Sequence, residues 1–570
     1  MRRSTRKTLA VATLATTAAL GVTAAFAVPG ATQRVDPGFT QDRSGELAAQ
    51  IDPAKPQNVI LIIGDGMDDS MITAARNYSV GADGRFAGLD NLPFTGAMTT
   101  HGLKVGANPA DYQLAYVSDS APTASGWSTG KKTVDGRLSQ GPSAAANIPG
   151  ENYKTVLETY QEQDWLVGNV STAEITDATP AAAASHISQR GCQGPTDMAN
   201  CAVEKKSATP PGLGSVAEQL VDHDIDVLMG GGKQRFTQAT DAGSTPLADA
   251  QANGARLVET EAAMNAITSL DDGPVLGLFT NGNMTPKYNQ LVAAAPPGSG
   301  SATTRCTEAD RGAQPDFSEM TAKAIELLDN DNGFFLQAES AMIDKQEHAS
   351  DICGAIGDLE ELDEAVQVAL DFQADNPDTL IIVTGDHAHS TQIVGDGSQG
   401  RQTATVQTFD GDPMSVAYST SASGSNHTGA QIRVAASGPQ AANVTGVIDQ
   451  TDLFATLLGR TPSTLPPGPT PPAPPATPLK PSVSVAAQPS IRRAVLKKAG
   501  LPVSIAAAGT TQVTLTVRNK GKVLLTKTVS PRGTTAWVKI KRNITGPLTL
   551  QVRGTGKGGT ATATKTVRTR

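Results

Sequence analysis

Residues 379–390 read TLIIVTGDHAHS. The first seven are mostly apolar or β-branched, too few for a helix, and do not alternate with polar residues. A strand built from them is buried on both faces. Four further runs have the same character: NVILIIG (58–64), WLVGNVS (165–171), IDVLMGG (225–231) and GFFLQA (333–338). Residues 319–329 and 358–374 instead carry apolar side chains at helical spacing. Buried strands alternating with helices indicate an α/β fold, a central and mostly parallel sheet flanked by helices.

The residues just past each run decide where chemistry can lie. Asp386 and His387 come after 379–385, Asp65 after the first run, Asp177 shortly after 165–171, and Glu339 after GFFLQA. Ligands of an open α/β sheet bind beyond the carboxyl ends of its strands. One aspartate there is ordinarily a helix cap, but several acidic positions on one edge would repel each other without cations. Four of the seven histidines, His348, His387, His389 and His427, add to this set. In IDKQEH, Asp344 and His348 stand four apart and share one helix face. Mixed carboxylates and imidazoles suit Zn²⁺, whereas an all-oxygen set suits Mg²⁺.

The stretch YVSDSAPTASGWSTGKK (116–132) is crowded with hydroxyls, with Asp119-Ser120 at its head. It has no histidine nearby to take a serine's proton. A nucleophile here needs another activator.

Residues 1–27 read as a secretory signal: Arg2, Arg3, Arg6 and Lys7, a small-residue apolar run, then Ala25-Phe26-Ala27 as the cleavage site. The run is shorter than the roughly 20 residues of a membrane span. The Arg2-Arg3 pair raises twin-arginine export, but the residues after it fit the general route better. The product is expected to be secreted or associated with the cell envelope, where disulfides form. Cys192, Cys201, Cys306 and Cys353 contain no C-x-x-C, which argues against a four-cysteine zinc site. Of three connectivities, 192–201 with 306–353 keeps both bridges local and is expected, as structural staples.

After Arg460 the chain enters TPSTLPPGPTPPAPPATPLKP, an extended proline-rich linker. The division expected is an arm over 28–54, a catalytic domain over 55–460, a linker over 461–485 and a basic domain over 486–570. Residues 482–570 hold 17 Lys and Arg and no Asp or Glu, so of 46 basic and 55 acidic residues the first 481 keep 29 and 55, a net of −26. Val513, Leu515 and Val517 share one strand face, as do Leu548, Leu550 and Val552, and Asn519-Lys520-Gly521 signals a turn. This reads as a small all-β, Ig-like sandwich. Its positive surface suits anionic cell-envelope polymers or anionic lipid heads; the plain alternative is a solubilising spacer. With Trp537 as its one aromatic, it does not suit single-stranded nucleic acid, and no sequence-specific nucleic-acid binding is expected.

From about residue 55 to 460 the segments IIGDGM, VSDSAPTASGWSTG, GNVSTAEITDATPAA, LQAESAMIDKQEH, IIVTGDHAHS and SNHTGAQIRVAA resemble, in order and spacing, the signatures of bacterial alkaline phosphatases. The resemblance stops before the linker. It implies a phosphomonoesterase, a possible homodimer, with two Zn²⁺ and one Mg²⁺. Asp344, His348 and His427 would hold one Zn²⁺, and Asp386, His387 and Asp65 the second, with Ser120 reaching it. Asp65, Thr179 and Glu339 would hold Mg²⁺, with Asp177 fixing that ion's waters. Arg190, in HISQRG, would grip phosphate, and its planar fork suits two oxygens better than lysine would. Lys345 would contact phosphate through water, Asp119 would frame Ser120, and His389 would support the zinc cluster from outside its ligands. Some relatives carry histidine in place of Asp177 or Lys345, and the acid-plus-lysine pair fits the subtype with a true Mg²⁺ site.

On this reading Ser120 is deprotonated by coordination to Zn²⁺, attacks phosphorus in line, and leaves a phosphoserine that water attacks from the vacated side. Two inversions predict net retention at phosphorus. Asp68 stands where relatives commonly have glycine, so an extra carboxylate could alter metal affinity or turn geometry unless it faces solvent. Pro122 falls in a helix's first turn, where proline is tolerated. A sulfatase would need an arginine that Ser120-Ala121-Pro122-Thr123-Ala124 lacks. A phosphodiesterase generally uses threonine and lacks the Arg190 clamp. MGGGKQRF (229–236) lacks the rest of a phosphate-binding loop. An envelope-binding protein with an inactive enzyme domain is disfavoured by the intact ligand set.

Overall fold

The structure is a computed structural model that describes residues 42–105, 113–143, 145–395, 400–418, 420, 425–459, 480–531 and 534–570. The stretch read as a signal segment, 1–27, and most of the stretch read as a linker lie outside these. The chain divides into two units at residues 465 and 466.

The first unit is built on ten strands: β1 (Asn58–Gly64), β2 (Phe94–Thr99), β3 (Leu166–Glu174), β4 (Val227–Gly231), β5 (Arg256–Val258), β6 (Val275–Leu278), β7 (Phe334–Ser340), β8 (Thr379–Gly385), β9 (Ile432–Ser437) and β10 (Gly446–Asp449). They pair in the order β10-β2-β9-β8-β1-β7-β3-β4-β6-β5, and only β9 runs against the rest. The five runs read as buried strands are β1, β3, β4, β7 and β8. Successive side chains of a strand point to opposite faces, so β1 feeds two cores. Ile60 and Ile62 pack with helices Phe317–Leu328 and Ile352–Asp375, and Val59, Leu61 and Ile63 pack with helix Ser120–Thr129. Each of β1, β7 and β8 is wholly buried, which is why none alternates in sequence.

Register positions the chemistry. Gly64 of β1 lies level with Ser340 of β7 and Gly385 of β8, and Glu339 lies level with Ser171 of β3. The residues just past these ends therefore emerge side by side at the sheet edge. Short strands at Ser299–Gly300, Gln392–Val394, Gln402–Gln407 and Pro413–Tyr418 form a further small sheet with no distinct sequence signal. The two disulfides are Cys192–Cys201 and Cys306–Cys353.

The second unit is a two-sheet β structure carrying one short helix, Arg493–Lys498. One sheet pairs Ser482–Ala487, Leu501–Ala508 and Thr534–Val538. The other runs Ser490–Ile491, Gly559–Thr569, Leu548–Gly556, Gln512–Asn519, Lys522–Val529. Val513, Leu515, Val517, Leu548, Leu550 and Val552 are all in its core. Lys520 and Gly521 have φ of 43° and 79° and close a two-residue hairpin, as Asn519-Lys520-Gly521 signalled. The first strand begins at Ser482, inside the stretch read as linker, so the fold takes up the linker's last residues.

Candidate active site

The aligned strand ends bring Asp65, Asp386 and His387 together, all buried, with ligand atoms within 4.8 Å of one another. Backbone amides fix Asp386: Gly66 N donates to Oδ1 at 2.9 Å and His387 N at 2.7 Å, while Thr123 Oγ1 donates to Oδ2 at 3.3 Å. Gly66 has φ of 71°, and a Cβ there would come within 3.2 Å of the Asp344 backbone, so this turn requires glycine. Ser120 is the first residue of helix Ser120–Thr129, with Asp119 at the cap and Pro122 in the first turn. Its Oγ lies 3.3 Å from His387 Nε2 and 3.5 Å from Asp65 Oδ1. The helix N-terminus behind it favours negative charge at this point.

A second group joins Asp344, His348, His389 and His427. Asp344 Oδ1 lies 3.2 Å from His427 Nε2, 3.4 Å from His389 Nε2 and 3.5 Å from His348 Nε2. Asp344 and His348 do share a face of helix Met342–His348. His427 Nδ1 donates to the Ser118 carbonyl at 3.0 Å, which turns Nε2 toward the group. His389, expected to support the cluster from outside its ligands, is held against Asp344 by that 3.4 Å approach.

Beside these lies a charged chain. One terminal nitrogen of Arg190 contacts both Asp119 oxygens at 2.8 Å, and the other donates to Asp177 Oδ1 at 2.6 Å. Lys345 Nζ lies 2.8 Å from Asp177 Oδ2. Burial alone would raise the Asp177 carboxyl, but the charges of Arg190 and Lys345 outweigh it and hold it well below the usual range. Glu339 accepts from Ser171 Oγ at 2.5 Å. Thr179 is buried two residues after Asp177, in helix Ala178–Ala182.

Burial and the charges of Asp344 and Asp386 push the Asp65 carboxyl well up, and burial pushes Glu339 up to about 8. Buried carboxylates this close are costly unless cations offset them. Asp344 Oδ1, His387 Nδ1 and His389 Nε2 are buried without a hydrogen-bond partner. Burial, then the His427 charge, holds His387 well below its usual range, and burial takes His389 down to about 3. Neutral imidazoles beside carboxylates are a donor set for Zn²⁺, so the residues fit the metals.

Asp68 does not face solvent. It is 5% exposed and caps helix Asp69–Ser79, accepting from Met71 N at 2.9 Å. Burial takes its carboxyl up to about 6. Glu347, next to His348 in sequence, is fully buried, and burial followed by the Asp68 charge raises it. Sequence reasoning misses Glu347, although it lies inside IDKQEH. It also misses a third group, Glu158, His186 and His223, because three separate segments assemble it. There His186 Nδ1 lies 2.9 Å from the Ser139 carbonyl and Nε2 lies 3.0 Å from Glu158 Oε1, the geometry of an imidazolium ion pair.

The alkaline phosphatase family model matches residues 56–418. The chain is 43% identical over 443 residues to an alkaline phosphatase of Escherichia coli (strain K12), covering 75% of this chain and 90% of that protein. It is 40% identical over 425 residues to streptomycin-6-phosphate phosphatase of Streptomyces griseus, covering 71% and 90% respectively. Its fold is shared with the alkaline phosphatase of Thermus thermophilus at a TM-score of 0.53 and 20% identity, over 75% of this chain and 95% of that one. The enzyme of the Antarctic bacterium TAB5 matches at a TM-score of 0.51 and 22% identity, over 71% and 97%.

Proposed function

The chain belongs to the alkaline phosphatase family and is a phosphoric monoester hydrolase, and on that premise we propose that Ser120 is its nucleophile, working with two Zn²⁺ and one Mg²⁺ outside the cytoplasm. The observation that carries this is the position of Ser120 Oγ, 3.3 Å from His387 and 3.5 Å from Asp65, at the N-terminus of a helix. Both of those neighbours belong to the ligand group, so coordination is the activation within reach of the hydroxyl.

Asp65, Asp386 and His387 would hold one Zn²⁺, and Asp344, His348 and His427 the other, with His389 packed against Asp344. Asp65, Glu339 and Thr179 would hold Mg²⁺. Ions held there would supply Lewis-acid stabilisation of negative charge developing on oxygen. Ser120 Oγ then forms the bond to phosphorus as the ester oxygen leaves, giving phosphoserine and an alcohol. Water attacks phosphoserine from the vacated side as the Ser120 Oγ–phosphorus bond breaks, releasing inorganic phosphate; the proton the water gives up offsets the one Ser120 Oγ takes back. Arg190 binds two non-bridging oxygens, its fork aimed by Asp119 and Asp177. Lys345, anchored on Asp177, adds positive charge where the transition state spreads negative charge.

The acid-free basic unit supports a second element of this reading, retention of the enzyme on anionic cell-envelope polymers. Among the described residues no helix is long and apolar enough to cross a membrane.

The test is acid-quenched turnover of a ³²P-labelled aryl phosphate, with parallel assays on a diester and metal analysis of the same sample. Label on Ser120, lost in Ser120→Ala along with nearly all turnover, is expected. Near-wild-type turnover by Ser120→Ala would overturn the assignment.

A further inference from the structure

The short helix Arg493–Lys498 interrupts the basic unit, and beside it lies a cavity of about 280 Å³. Three of its lining side chains are cations: Arg493, Lys497 and Arg542. Arg493 and Lys497 stand four apart on the helix and share a face. Arg542 comes from the segment after strand Thr534–Val538. The two sides are tied together, since Lys497 Nζ donates to Asn543 Oδ1 at 2.5 Å. Leu496, Ile540 and Ile544, all nearly buried, supply an apolar floor.

Cations on protein surfaces usually face carboxylates of the same chain. Here residues 482–570 contain no Asp or Glu, and among the described residues of this unit no cation forms an ion pair with a side chain. Three charges of one sign around one concavity, on a floor of aliphatic side chains, sum to a field that draws an anion in. An anion entering the cavity meets two guanidinium forks, which match phosphate oxygens bidentately, and one ammonium.

We propose that this cavity is a binding site for a phosphodiester unit of a polyol-phosphate polymer. The forks hold the phosphate oxygens, and the aliphatic polyol lies on Leu496, Ile540 and Ile544. A soluble polymer is favoured over a lipid surface because the cations ring a concavity rather than a protruding apolar face. The site rests on the basic unit's role in envelope retention and confines recognition to three named cations. All its residues belong to the second unit, after the linker.

The experiment uses the full chain and a poly(glycerol phosphate) probe, with affinity measured from 50 to 300 mM salt. Arg493→Gln/Lys497→Gln/Arg542→Gln is compared with Lys522→Gln/Lys527→Gln/Lys557→Gln, which removes the same charge elsewhere on the unit. All six side chains are exposed, so folding should be preserved, and unchanged turnover of an aryl phosphate with an unchanged melting curve verifies it. The expected result is at least a tenfold affinity loss in the cavity variant and less than threefold in the other. Equal losses would mean a diffuse field, which keeps envelope retention but overturns the site. Tighter retention on phosphatidylglycerol vesicles than on the polymer, or no loss in either variant, would overturn both.

Discussion

One terminal nitrogen of Arg190 lies 2.8 Å from both carboxylate oxygens of Asp119, so the guanidinium is already paired before any substrate arrives. With Asp177 on the other nitrogen, the fork has one orientation available. Lysine cannot meet two carboxylates and a phosphate in that plane. Arg190→Lys should therefore lower kcat/KM for an aryl phosphate by roughly 10- to 100-fold, about 1.4–2.7 kcal/mol, and Arg190→Ala by more. Steady-state kinetics with inorganic phosphate as competing inhibitor checks it, since phosphate inhibition should weaken in parallel. Unchanged inhibition in Arg190→Ala would remove Arg190 from the phosphate site.

Chelation should do more than abolish turnover. Burial leaves the Glu339 carboxyl at about 8 and raises Asp65 well above the usual range in the absence of cations. At pH 7 the stripped protein should therefore take up protons, and restoring Zn²⁺ and Mg²⁺ should release them. A pH-stat titration reads this directly. Scanning calorimetry should show a lower melting temperature for the stripped protein, because binding to the native state alone stabilises it. Metal rebinding without proton release would contradict the picture of carboxylates held together by cations.

The acids after β1 and β8, and Glu339 near the end of β7, were legible because parallel strands in register deliver their ends to one edge, so local sequence carried global position. Ser120 came from the resemblance of VSDSAPTASGWSTG to the family signature, because the hydroxyl-rich stretch alone left open which serine acts. The 3.4 Å distance from His389 to Asp344 was not legible, because it depends on how the loop after β8 packs on helix Met342–His348. Burial of Asp68 was not legible either. A cap residue looks the same in sequence whether its helix starts at the surface or under a neighbouring element. The strands around 392–418 run three to six residues, too short for their periodicity to stand out.

Glu158 and His186 predict a pH-dependent contribution to stability away from the metals. Burial would raise Glu158, but the His186 hydrogen bond and charge take it from 4.5 down to about 2. Burial would lower His186, but Glu158 raises it above 6.5 overall. His223, 3.7 Å from the same carboxylate, is lowered by burial. A raised histidine contributes fully below its unfolded pKa of about 6.5 and loses its contribution as pH climbs through the folded value. A lowered glutamate contributes above 4.5 and loses it as pH falls toward about 2. His186→Gln should thus cost about 2 kcal/mol near pH 5.5 and clearly less near pH 9.5. Urea unfolding of both proteins at the two pH values decides it. A difference that grows with pH would show that His186 is neutral in the native state.

The two disulfides should differ in what their removal costs. Cys306–Cys353 spans 47 residues and Cys192–Cys201 spans 9. On loop-closure entropy the longer bridge contributes about 4 kcal/mol and the shorter about 2.6 kcal/mol. Cys306→Ser/Cys353→Ser should therefore lower the melting temperature more than Cys192→Ser/Cys201→Ser. The shorter bridge, however, starts two residues after Arg190, and the Cys192 carbonyl accepts Val216 N at 3.1 Å, fixing the segment that carries the guanidinium. Its loss should raise KM for an aryl phosphate while leaving most of the stability intact. Melting curves and kinetics on the two double variants separate these effects: the long bridge acts chiefly on the unfolded chain, the short one on the aim of Arg190. If the short-bridge variant melted lower than the long-bridge one with KM unchanged, both assignments would fail together.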